Sequence, residues 1–247
     1  MSAIYVMWLR QIKRYWRSKS RMIGALGQPL LFLFALGLGF GPIFEQAGAG
    51  NYIQFLAPGV IAMTILFTAM FSGIEVIWER QIGFIKETLV APIKRSHIMI
   101  GRTLGGATIA IFQGLIVFVF TLIAGFRPNF SSIPLALLFM FLIACLFTAI
   151  GIALASKLED MQAFPIIINF IIMPIFFLSG SIFPLDSAPK FLKTVAQFNP
   201  LTYGIDGIRG ALTGANHFSM LGDFLIIAIL TLIAIALGSY LFKKVEA

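Results

Sequence analysis

The sequence predicts an all-α integral membrane protein, and three observations predict it. Apolar residues fill 59% of the 247 positions and charged ones only 11%, against roughly half and about a quarter in a soluble domain. Mean hydropathy is accordingly +0.96. The apolar residues are gathered into six stretches, near 22–43, 55–77, 103–126, 134–156, 163–183 and 221–242, each about long enough to cross a hydrocarbon core near 30 Å thick. A lone span in lipid must satisfy its own N–H and C=O groups, so the stretches are expected to be helices. None alternates apolar and polar residues with period two, which excludes a barrel. An ordinary soluble enzyme, a disordered chain and a disulfide-stapled secreted domain are excluded together. The single cysteine, Cys145, lies within an apolar run and can form neither an intrachain disulfide nor a cysteine metal cluster.

The first 21 residues carry six Lys/Arg and no continuous apolar core, unlike a cleavable signal peptide. At about 100° per residue, Ile4, Tyr5, Trp8, Leu9, Ile12, Tyr15 and Trp16 share one face and Arg10, Lys13, Arg14 and Arg17 the opposite one. This pattern predicts an amphipathic helix over 1–21 lying in the membrane interface, aromatic side toward the acyl boundary and basic side toward anionic headgroups.

Two connections between spans exceed a turn. The first, 78–102, contains GFIKETLVAPIKR, whose Phe84, Ile85, Leu89 and Val90 form an apolar strip that Pro92 ends. The second, 184–220, holds two segments of about a dozen residues, 187–198 and 200–212, too short to span. Asn199 before Pro200 is a helix-start signal, a capping side chain followed by proline in the first turn. These segments are expected to be short re-entrant helices in the outer leaflet. Without a long linker or repeat, residues 1–247 read as one domain.

Charge sets the expected orientation. With the N-terminus in the cytosol, 14 of the 18 Lys/Arg fall on inner segments and only Arg127, Lys190, Lys193 and Arg209 on outer ones. Both termini are therefore expected in the cytosol, the chain being multi-pass in the cytoplasmic membrane. The net charge of +8 reads as a topology signal, and no nucleic-acid partner is expected.

Reactive groups at depth are few. Glu75, near the cytosolic end of the second span, is an intramembrane carboxylate and so a functional candidate; one turn from Glu79 and Arg80, it also suits snorkelling or pairing with a basic neighbour. Gln28, Gln113 and Asn169 are amides in apolar spans, suited to bonds across helix interfaces or to lining a substrate path. Ser179-Gly180-Ser181 with His217 makes a poor protease constellation, since His217 belongs to an outer loop. His97 lies on the other side of the membrane, so no metal site is expected. No segment fits GxxxxGK[ST], so the chain has no ATP-binding loop and no cofactor of its own is expected. The scarcity of buried charge weakens an ion-coupled mechanism, leaving a partner as the energy source.

Glu79-Arg80, Gly83, Lys86-Glu87, Leu89, Ala91-Pro92, Arg95 and Gly101-Arg102 resemble the coupling-helix region of type-2 permeases of ATP-binding cassette (ABC) transporters. Ser179-Gly180-Ser181, Pro184, Pro189, Asn199-Pro200-Leu201, Tyr203, Asp206 and Arg209 resemble that family's C-terminal signature in order and spacing. Gln28-Pro29-Leu30 and Ala57-Pro58-Gly59 are similar to the daunorubicin-type drug-exporter branch. Where the family often has Gly-Thr-Leu-Glu after the loop acids, this chain has Gly83-Phe84-Ile85-Lys86.

The resemblance implies a permease dimer, a homodimer ahead of a heterodimer, carrying separate ABC ATPase subunits that hold ATP and Mg. The loop around Gly83, Lys86, Glu87, Leu89, Pro92 and Arg95 would dock in the ATPase. The helix bearing Trp8, Arg10, Arg14 and Trp16 would rest on membrane lipid. Pro184, Asn199, Pro200, Tyr203 and Arg209 would belong to the outer helices near the exit. The function so implied is export of a hydrophobic or amphipathic compound. Export of a polysaccharide or lipid-linked glycan, and a non-transporting immunity or sensor role, are the alternatives.

Overall fold

The computed structural model describes residues 2–46, 50–83, 94–158, 160–185 and 188–243. Among these it has ten α-helices and no strand. In chain order they are α1 (Ala3–Arg17), α2 (Lys19–Gln46), α3 (Tyr52–Phe71), α4 (Ile74–Gln81), α5 (Arg95–Ile123), α6 (Ile133–Ala155), α7 (Ala163–Phe177), α8 (Lys190–Phe198), α9 (Pro200–Thr213) and α10 (Met220–Lys243). Among the described residues, five helical segments are long and apolar enough to cross a membrane: α2, α3 with α4, α5, the segment 130–155 ending in α6, and α10.

The α3–α4 segment is the centre of the molecule, its most apolar window 72% buried, whereas those of α2 and α10 are 17% and 22% buried and form the periphery. Close helix approach rests on small residues. A Cβ added at Gly73 would collide with the Gly151 carbonyl, and one at Gly207 with the Phe139 ring. At one end of the bundle, Tyr52 donates to the Ile182 carbonyl (3.0 Å), Gln54 to that of Gly125 (3.2 Å) and the Asn129 amide to that of Leu212 (2.7 Å). The opposite end holds α1, α4 and the start of α5, and is the basic end.

Several boundaries differ from the sequence-based expectation. The helix expected over 1–21 stops at Arg17. Ser18 leaves helical geometry (φ −102°, ψ 72°), caps Tyr15 with its amide, and offers its carbonyl to Met22, so Arg21 belongs to α2. The regular helix of the second span is interrupted at Ser72–Gly73, both still in helical geometry, where the backbone of Gly151 approaches closely. The fifth apolar stretch is helical only over Ala163–Phe177, about 22 Å at 1.5 Å per residue, short of a ~30 Å core. It ends because Ser179 and Ser181 both hydrogen-bond the Phe176 carbonyl (2.6 and 2.9 Å) and Gly180 adopts φ +72°. In the second long connection α8 begins at Lys190, while α9 starts at Pro200 with Asn199 accepting from the Leu201 amide (3.0 Å).

Candidate functional site

The densest chemistry lies at the basic end. Glu75 and Glu79 are four residues apart on α4 and point the same way, as helical spacing requires. Glu79, 2% exposed at its side chain, pairs with Arg10 and Arg14 of α1 (2.9 Å to Arg14) and with Arg102 of α5, itself 1% exposed. Glu75 pairs with Arg21 of α2 at 2.6 Å and faces Arg14 at 3.9 Å. Arg14 also stacks over the Trp78 ring (4.4 Å) and Arg102 over that of Phe242 (5.8 Å). Two carboxylates thus hold four guanidiniums from three other helices. Desolvated carboxylates are tolerable only with such partners.

The aromatic face of α1 packs along α5. A Cβ at Gly101 would lie 2.7 Å from Met7 Cβ, and one at Gly105 2.6 Å from Gln11 Cβ, so these glycines form the bed on which α1 rests. Trp8 donates its indole N–H to Thr108 (3.0 Å) and Trp16 packs on Phe112 (4.9 Å between centroids). Gln113, fully buried, bonds the Tyr15 hydroxyl and the Met22 carbonyl (3.2 Å), pinning the α1–α2 joint to α5. Burial pushes the Tyr15 phenol above its usual value, with the Gln113 bond and the Arg21 charge opposing. The expectation that Arg10 and Arg14 face headgroups is therefore corrected. Their charged ends turn to Glu79, because a carboxylate at bonding distance in a half-buried site attracts a guanidinium more strongly than a solvated headgroup does.

Gly83 follows α4 with φ +75°, a left-handed turn that suits glycine. Arg95 opens α5. Lys86, Glu87, Leu89 and Pro92 lie outside the described residues.

Gln28 and Asn169 are exposed, on α2 and α7. Beside α2, a cavity of about 370 Å³ is lined by Tyr15, Arg21, Gln28, Pro29, Phe67 and Phe71. Its wall includes Arg21, the partner of Glu75, and mixes aromatic with polar groups.

In the second long connection, Asn199 caps α9 and donates to the Ile175 carbonyl (2.6 Å), and Tyr203 donates to that of Gln197 (2.6 Å). Burial pushes the Tyr203 phenol upward. Arg209 donates to the carbonyls of Gly180 (3.0 Å) and Phe55 (3.5 Å) and lies over the Phe55 ring at 4.1 Å. Burial brings it down to about 10, against the pull of Asp206. Asp206 instead accepts from the His217 and Phe218 amides (2.7 to 2.9 Å). Pro184, Arg209 and Asp206 border a cavity of about 190 Å³.

Comparison with known proteins decides the family. Residues 2–213 match the family described as ABC-2 type transporter. The chain belongs to that family. The permease is 29% identical over 262 residues to the putative transport permease ycf38 of Cyanophora paradoxa, an alignment covering 98% of this chain and 88% of that one. Nodulation protein J of Rhizobium leguminosarum bv. trifolii is 30% identical over 195 residues, covering 78% and 74%. The inner membrane transport permease YadH of Escherichia coli is 26% identical over 233 residues, covering 90% and 87%. The chain is thus a multi-pass membrane transport permease, and ABC-2 permeases work with separate ATPase subunits.

Within the permease, the charge cluster gathers Arg10, Arg14 and Glu75 from among the expected residues and adds Glu79, Arg102 and Arg21. Pairing of Glu75 with a basic neighbour is one of the two structural readings of the sequence; which cations come, Arg21 and Arg14 from α2 and α1, the sequence does not reveal. The sequence places Arg102 only within the coupling-helix resemblance and does not reveal its burial against Glu79, because a basic residue at a span's edge ordinarily snorkels outward.

Proposed function

We propose that this permease is the membrane subunit of an ABC exporter of the drug-exporter branch, moving a hydrophobic or amphipathic compound, drug-like or lipid, outward with ATP and Mg held by a separate ATPase. One observation carries the reading. Helix α4 leads directly into Gly83 and the loop expected to meet the ATPase, and its two carboxylates grip α1, α2 and α5 at once. A pull on that loop is therefore shared with the helix beside the cavity at Gln28. The cavity's aromatic walls and its polar Gln28, Tyr15 and Arg21 suit an amphipathic molecule.

The proposed topology has six spans, α7 and the turns to residue 183 forming the fifth, with both termini in the cytosol. The re-entrant reading of α8 and α9 is supported by the level of their joint. Gly204 touches Ile143 and Ile227 and Gly207 touches Phe139, while Leu212 lies beside Asn129 at the bundle's end. The chain turns back near the middle of α6 and climbs out along it. A second copy is the proposed partner at α2 and α7. There, Gln28 on α2 stands exposed, as does Asn169 on α7 beside Ile166 and Phe170, 72% and 82% exposed, and an amide in a span seeks a helix partner.

The test is co-purification with a candidate ABC ATPase, then ATPase and vesicle-transport assays over a panel that includes drug-like compounds, lipids and a lipid-linked glycan. Glu87→Arg and Gly83→Pro should uncouple hydrolysis from transport while leaving expression intact. Unchanged transport in both removes the coupling assignment, and failure of the wild type to bind an ATPase or redistribute any compound defeats the exporter reading.

A further inference from the structure

The seam between α6 and α10 takes no part in the features above. Along it runs an apolar groove of about 360 Å³, with Leu146 and Leu230 toward one end and Leu154 and Leu241 toward the other. Eleven residues separate Leu146 from Lys157, as they do Leu230 from Leu241, so the groove is about 16 Å long at helical rise. That is roughly half a ~30 Å hydrocarbon core, the depth of one leaflet. Its end at the midplane is closed. Gly204 packs on Ile143 and Ile227, so Pro200, one turn earlier on α9 and part of the groove wall, lies level with Leu146 and Leu230.

The open end carries charge. Among the described residues, Lys157 is the one charged residue lining the groove, and it is exposed. Its turn is clamped from behind, since Arg80 donates to the carbonyls of Ser156 (2.8 Å) and Leu158 (3.3 Å). Lys243 follows Leu241 by two residues on α10, at the same end.

We propose that this groove is a fixed site for one acyl chain of an anionic phospholipid of the cytosolic leaflet, with the phosphate headgroup against Lys157. An apolar slot one leaflet deep, stopped at the midplane and basic at its mouth, matches such a lipid in length and charge. A second permease helix would need a seam running the full membrane thickness, and Pro200 ends this one halfway. The site is separate from the proposed cargo cavity, which lies beside α2. The leaflet assignment rests on the orientation proposed above.

The test uses the full chain with its ATPase in phosphatidylcholine vesicles, doped with phosphatidylglycerol or phosphatidylcholine bearing the same mid-chain diazirine. Photolabel should map to residues 146–157 and 230–241. The phosphatidylglycerol probe should label about fivefold more than its neutral counterpart, the weight of roughly one lysine near an anionic headgroup, and Lys157→Gln should abolish that preference. Leu237→Trp, at a half-exposed groove position, should fill the slot and reduce labelling by both probes. Equal labelling by the two headgroups, a preference intact in Lys157→Gln, or label spread evenly over α2 and α7 would overturn the proposal. So would copy-to-copy disulfide formation by Leu237→Cys in a Cys145→Ser background. Specific labelling in a preparation that transports nothing would sink the exporter reading and leave the groove assignment standing.

Discussion

Glu79→Gln should be among the most damaging single substitutions at the basic end, and the reason is differential burial. Glu79 and Arg102 are 2% and 1% exposed at their side chains, whereas Arg10 and Arg14 are 28% and 32% exposed. Neutralising Glu79 leaves Arg102 charged in a site that water does not reach, and breaking a buried pair from one side costs about 3–5 kcal/mol. Removing Arg10 or Arg14 instead leaves Glu79 with Arg102 and one other guanidinium, and the lost interaction, part-solvated and screened, is worth roughly 0–1 kcal/mol.

On a scale of about 2–4 °C per kcal/mol for a chain of this length, Glu79→Gln should lower the melting temperature by roughly 6–20 °C and Arg10→Gln by at most ~4 °C. The assay is thermal unfolding of the purified permease in one detergent at fixed salt, with 0.5 M salt as a second condition. Added salt should narrow the Arg10 effect and leave the Glu79 effect nearly unchanged. Replacing both buried partners, as Glu79→Leu with Arg102→Met, should recover most of the loss, because an apolar pair of similar volume carries no desolvation penalty. If Glu79→Gln costs no more than Arg10→Gln, or the double variant is as unstable as the single, the buried pair does not anchor these helices.

Other substitutions test other joints. Gly151→Ala places a methyl against the Met70 carbonyl and should destabilise by about 1–3 kcal/mol, read as a lower melting temperature, while Gly39→Ala, with nothing within 4 Å, should leave the melting temperature unchanged or higher. Asn199→Ala loses both the α9 cap and the bond to Ile175 and should cost roughly 1–3 kcal/mol, with hydrogen exchange rising first in α9. Asn169→Cys, with Cys145→Ser, should form a copy-to-copy disulfide under mild oxidation on non-reducing gels, whereas Ile143→Cys, fully buried, should not.

Much of the fold was legible because hydrophobic length is a strong signal. The apolar stretches near 22–43, 103–126, 134–156 and 221–242 are all helical, and Asn199–Pro200 begins a helix as its cap chemistry requires. What escaped depended on partners distant in sequence. The close approach at Gly73 depends on Gly151, and the early end of α7 on two hydroxyls folding back on the Phe176 carbonyl. Periodicity put Arg10 and Arg14 together on a face of α1. It had no means of saying that the face would meet Glu79, 65 or more residues away, rather than a headgroup. The loop at 84–93, where resemblance located the ATPase contacts, lies outside the described residues, so that part of the site rests on sequence alone.

The division of labour among the arginines bears on how a permease of this kind switches. A conformational change that had to break Glu79–Arg102 would meet a barrier comparable to a large share of the protein's stability. One that exchanges Arg10 and Arg14 for water, while Glu79 keeps its buried partner, costs little, since each exposed pair is worth so little. The cluster therefore combines a permanent joint between α4 and α5 with two releasable contacts to α1. In α2, Arg21 on Glu75 is likewise half-solvated, at 35% exposure. The contacts of α4 that can exchange are thus those to α1 and α2, the pair that frames the cavity at Gln28, while α1 stays bedded on α5 at Gly101, Gly105 and Gln113. Packed bistable contacts of this kind convert a small displacement into a discrete change of packing. A force applied through Gly83 to α4 would be carried rigidly into α5 and delivered as rearrangement to the cavity wall.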